Sequence, residues 1–86
     1  MAFLLTAAAP TVVIRAARGA DGDSLRRLAA LDSARVPTGD LLIAEAEGAV
    51  VAAHSPTTGA TIADPFRRTA DVVELLELRG AMLRAA

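Results

Sequence analysis

Arg67, Arg68 and Thr69 stand side by side where an apolar periodicity begins, and this spot is suited to holding an anion. A helix N-terminus presents unpaired backbone N–H groups and the positive end of the helix dipole, and two guanidinium groups beside it add charge. A phosphate, or a cofactor carrying one, is the chemistry such a spot serves. The approach to it, Ala63-Asp-Pro-Phe-Arg-Arg-Thr-Ala70, contains no glycine to let backbone close on a phosphate, and Pro65 removes a donor. Two solvated arginines in a strand-to-helix loop are the plainer reading. Asp64 and Glu45 are carboxylates able to accept a proton. Each is more simply read as capping a turn or facing solvent.

His54 is the only histidine. One imidazole cannot build a multi-histidine metal site, and a catalytic role needs a carboxylate held against it. The plainer reading is an exposed or hydrogen-bonded strand histidine. Asp32, Asp40, Glu45 and Glu47 lack the spacing of a calcium loop. The absence of cysteine excludes disulfides, thiolate nucleophiles and thiolate metal sites. Gly19 and Gly22 bracket a helix start but match neither the dinucleotide fingerprint nor the Walker pattern. The sequence therefore assigns no catalytic residue and no metal ligand.

The elements that position these residues follow from period and punctuation. Val12-Val-Ile14 reads as a first strand, because β-branched residues fit a pleated surface. Asp21 is placed to cap a helix whose apolar face carries Leu25, Leu28, Ala29 and Leu31 or Asp32. Asp23 can pair with Arg26 or Arg27 on its outer side. Val36-Pro37-Thr-Gly39 predicts an end near Ala34. Leu41–Glu45 and Ala49–His54 read as a hairpin around Ala46-Glu-Gly48, apolar enough that helices must cover one face. Ala60–Ala63 reads as a short fourth strand, closed by Asp64-Pro65. From a cap at Thr69 to Arg84, a final helix carries the broad stripe Val72, Val73, Leu75, Leu76, Leu78, Met82 and Leu83. Gly80 weakens that helix and suits close packing on the sheet. The expected fold is α+β, in the order β-α-β-β-β-α, with a small antiparallel sheet of three to four strands on two helices.

Composition narrows the function classes. The chain has 86 residues, a net charge of −1, nine basic residues that are all arginine, and two aromatic residues, Phe3 and Phe66. Without a basic stripe or stacking platform, nucleic acid is not an expected partner. The opening Met1-Ala-Phe-Leu-Leu-Thr-Ala-Ala-Ala-Pro10 carries no charge. It is short of the ~20 residues of a membrane span and lacks the cationic start of a signal peptide. Residues 1–10 read as an apolar arm and residues 11–86 as one domain, expected in the cytoplasm.

Three segments, Thr11-Val-Val-Ile-Arg15, the capped helix within Gly19–Ser33 and the Leu41–His54 hairpin, form a succession over residues 11–66. It resembles the N-terminal half of GNAT-type N-acetyltransferases, especially short chains of high-GC actinobacterial style. The resemblance implies that acetyl-CoA would sit where two parallel strands splay, its pyrophosphate held by a glycine-rich loop opening the following helix. Here that loop is the glycine-free stretch ending in Arg67, Arg68 and Thr69. The family continues with a further strand, a helix and often a hairpin, and many members use a tyrosine to protonate the leaving thiolate; this chain has no tyrosine. What the resemblance implies is thus a truncated GNAT-like half-domain without the cofactor loop. The first expectation is a non-catalytic module, with no cofactor. It would form a homo-oligomer or dock on a larger protein through the Ala60–Ala63 sheet edge and the C-terminal helix. The alternative is an acetyl-CoA-dependent N-acetyltransferase whose site is completed by a second copy or a partner chain.

Overall fold

The computed structural model describes residues 11–85; the expected apolar arm at residues 1–10 lies outside them. The architecture is α+β, with one four-stranded antiparallel sheet and two helices. Strands β1 (Val12–Ala16), β2 (Leu42–Ala46), β3 (Ala49–His54) and β4 (Thr61–Ala63) lie in the order β1-β2-β3-β4. Helix α1 (Gly22–Leu31) joins β1 to β2, and α2 (Ala70–Ala85) follows β4. The sequence order β-α-β-β-β-α is therefore the observed one, with four strands and not three.

The hairpin between β2 and β3 pairs Ala46 with Ala49 across a two-residue loop. Glu47 and Gly48 both take positive φ, at 54° and 82°, as a turn matching the right-handed strand twist requires. The register slips once: Ala44 faces Ala52 and Glu45 faces Val50, leaving Val51 as an extra residue on β3. Such a bulge turns consecutive side chains to one side. Val51 and Ala52 accordingly belong to the same apolar cluster.

The sequence pattern predicts helical cover on one sheet face, and the structure covers both. Leu25, Leu28 and Ala29 of α1 pack with Leu41, Ile43, Val50, Ala53 and Ile62. On the opposite face, Leu76 of α2, flanked by Val72 and Val73, packs with Ala44, Val51 and Ala52. The reason lies in β3: Ala-Val-Val-Ala-Ala-His is buried from Val50 to His54, and a strand apolar on both faces needs cover on both. Helix α1 stops at Leu31, three residues before the expected end. Ser33 adopts φ 51°, and the Ala34 N–H returns to the Ala29 carbonyl at 2.8 Å. That left-handed residue closes the helix before Pro37 is reached.

Candidate functional site

Asp64 ends β4 and organises the loop into α2. Its Oδ1 accepts the Phe66 N–H at 2.9 Å, its carbonyl accepts the Arg67 N–H at 3.3 Å, and Oδ2 lies 3.7 Å from Arg67 Nε. A short polar side chain bonding its own backbone two residues on is a turn device. The Thr69 carbonyl accepts the Val73 N–H at 2.8 Å and closes the first turn of α2. These contacts open a hollow of about 610 Å³, lined by Arg67, Arg68 and Thr69 together with Asp32, Asp64 and Asp71.

All three residues picked from sequence as a candidate anion or CoA-phosphate site thus share one concavity at a helix start. Three carboxylates share it with them. Asp32 is the member that sequence reasoning did not place there. Its Oδ2 accepts the Ala63 N–H at 3.0 Å, tying the end of α1 to β4 across 31 positions of sequence. This bond also occupies a donor on the strand expected to offer an open edge. The edge is three residues long, Thr61–Ala63, and short, partly satisfied edges resist strand addition.

Glu45, the other candidate base, belongs to a separate ionic cluster. The Arg15 guanidinium donates to both oxygens of Asp21 at 2.9 Å and reaches Glu45 at 3.3 and 3.4 Å. The Arg18 N–H donates to Asp21 Oδ2 at 2.6 Å. Arg15, and then the Arg18 N–H, hold the Asp21 carboxyl far below the usual carboxylate range. The hydrogen bonds that Arg15 donates to Asp21 and then to Glu45 raise the pKa of its guanidinium in turn. Asp21 does precede α1, as expected. Its side chain makes no bond to the α1 N-terminus and turns back to β1, because a guanidinium fork is the stronger partner. On the exposed side of α1, Asp23 pairs with Arg26.

His54 is 3% exposed, and its Nδ1 lies 2.8 Å from Thr61 Oγ1. Among the described residues no carboxylate is hydrogen-bonded to the ring, and Nε2 is buried without a hydrogen-bond partner. The ring is seated beneath α2 at Gly80: a Cβ there would stand 2.5 Å from Nε2. The glycine flagged in the sequence as suited to close packing meets this histidine. The pairing itself, 26 positions apart, had no local signal. Among the described residues no group of three or more His, Asp or Glu could hold a metal ion, and no helix is long and apolar enough to cross a membrane.

No family model matches the chain, and no curated protein or solved structure matches it.

Proposed function

We propose that this chain is a non-catalytic docking module that associates with a second copy of itself, or with a larger protein, through the outer face of α2. One observation carries the reading. Along the 16 residues of α2 only Leu76 and Gly80 are buried, whereas Leu75, Leu78, Met82 and Leu83 are 43–59% exposed. A run of large apolar side chains left in water on one helix marks an interface more often than a free surface. The β4 edge contributes less than the sequence suggested, because Asp32 already engages it. Sedimentation velocity from low to high micromolar concentration tests the self-associating form. A sedimentation coefficient that rises with concentration supports it, and a strictly monomeric chain at high micromolar concentration contradicts it.

The resemblance to the N-terminal half of a GNAT-type fold is kept as part of this reading. Its support is the element order and the helix on each sheet face. The second reading, an acetyl-CoA-dependent N-acetyltransferase completed by oligomerisation or by a partner chain, is favoured by the hollow that gathers Arg67, Arg68 and Thr69. Asp32, Asp64 and Asp71 weigh against an anion there, and Arg67 is already drawn to Asp64. Calorimetric titration with acetyl-CoA decides between the readings. Saturable micromolar binding that is lost in Arg67→Ala/Arg68→Ala favours the transferase, and no heat at millimolar ligand favours the docking module.

A further inference from the structure

The charges of α2 and its exposed apolar residues are both ordered along the helix. Leu76 and Gly80 are its buried positions, and at about 3.6 residues per turn Leu78 stands on the opposite side. The exposed positions Asp71, Leu75, Leu78, Met82 and Ala85 recur at alternating spacings of four and three, which makes one seam along the outer side. In the N-terminal half of α2 the charged residues are Asp71, Glu74 and Glu77; in the C-terminal half they are Arg79 and Arg84. The helix is acidic toward one end and basic toward the other. Asp71 and Arg84 suit the helix dipole, whose influence is confined to the first and last turns. Glu77 and Arg79 lie well inside both, so the dipole does not account for them.

We infer that the occupant of this face is a second copy of the chain, its α2 running antiparallel about a two-fold axis at Leu78. The inference rests on the docking reading and names the partner and its geometry. Charge decides the direction. Parallel helices would set acidic half on acidic half and basic half on basic half, with two Asp71 carboxylates facing across the seam. Antiparallel helices set each acidic half on the basic half of the other copy. The seam then decides the register. With Leu78 on the axis, Leu75 comes level with Met82 of the second copy to within one helical rise, about 1.5 Å. Asp71 lies opposite Ala85 of the second copy. Glu74 and Arg84 share one flank of the helix, and the same register brings each within about 3 Å, along the axis, of the other in the second copy. Among the described residues Arg84 is held to its own chain by one exposed bond of 3.4 Å to the Pro56 carbonyl. The arrangement is isologous, so every such pair forms twice and the face is used up at two copies. One helix from each copy makes a small contact, so the dimer is concentration-dependent.

The chain has no cysteine, so single cysteine variants of the full chain report the geometry directly. The positions used are exposed, and the variants are expected to fold. Under mild oxidation at high micromolar concentration, Leu78→Cys is expected to form a disulfide dimer by itself. Leu75→Cys and Met82→Cys are each expected to stay unlinked alone, because two copies of either position stand about 9–12 Å apart along the axis, beyond disulfide reach. Mixed together, they are expected to cross-link with each other. Arg27→Cys, exposed on α1, gives the rate of random collision. In sedimentation velocity, Glu74→Arg is expected to weaken the dimer several-fold, and Glu74→Arg with Arg84→Glu to restore it. Self-linking of Leu75→Cys and of Met82→Cys, with no preference for the mixture, would overturn the antiparallel dimer and leave the docking reading standing. Self-association with no α2 cross-link above the Arg27→Cys rate would overturn both. A strictly monomeric chain would overturn the dimer and the self-associating form of the docking reading, leaving a larger protein as the partner.

Discussion

α1 and α2 press on opposite faces of one sheet and use their apolar residues differently. The ten residues of α1 bury Leu25, Leu28 and Ala29 in a cluster with five sheet and loop residues. The sixteen of α2 bury Leu76 and Gly80 and leave four large apolar side chains substantially exposed. The shorter helix is the complete one. Helix length and apolar content therefore do not measure how much a helix holds the fold together. What matters is whether the stripe matches the sheet beneath it, and on α2 the stripe is wider than the sheet it covers.

The largest expected effect contrasts the two directly. Leu28 is fully buried, and Leu28→Ala is expected to destabilise the domain by about 2–5 kcal/mol. Leu78→Ala is expected to change the stability of the monomer by less than about 0.5 kcal/mol. Urea denaturation of the two variants at low concentration checks both, and similar losses would erase the asymmetry. The second effect lies at the tight point of α2. Gly80→Ala improves intrinsic helix propensity by about 1 kcal/mol, yet its Cβ would collide with the His54 ring. A net loss of about 1–3 kcal/mol is expected, the usual range for overpacking. In a His54→Ala background the same substitution should become neutral or stabilising. A double-mutant cycle with no coupling would remove His54 from the seating of α2.

The third prediction concerns the ionic cluster beside α1. Asp21 is depressed in the folded state by Arg15 and the Arg18 N–H. Its contribution is therefore complete above the ordinary aspartate value, about 3.9, and is lost as pH falls below it. Wild type should lose denaturation midpoint on acidification below about pH 4, and Asp21→Asn should be less stable at neutral pH with a flatter acid limb. Parallel slopes in the two proteins would contradict the assignment. The smallest effect belongs to neither helix. Glu47 holds a left-handed conformation at φ 54°, which asparagine adopts more readily. Glu47→Asn is expected to raise stability by up to about 1 kcal/mol, measured by thermal unfolding.

The sequence carried the element order because its punctuation is local. The Glu47-Gly48 turn, the Asp64-Pro65 stop and the change of period after Thr69 each act within a few residues. What it did not carry depends on distant partners. The Asp32–Ala63 bond, the turn of Asp21 toward Arg15 and the seating of His54 against Gly80 are set by which elements the fold brings together. The candidate site divides along the same line. Arg67, Arg68 and Thr69 were legible as neighbours at a helix start, but the carboxylates gathered around them were not, since Asp32 arrives from α1.

The measurement that bears most directly on the account follows methyl chemical shifts of the labelled chain from low to high micromolar concentration. The account predicts that Leu75 and Leu78 on α2 shift with concentration while Leu28 and Ile62, in the cluster under α1, do not. Shifts at neither helix, or equally at both, would contradict the assignment of the outer face of α2 as a surface for self-association.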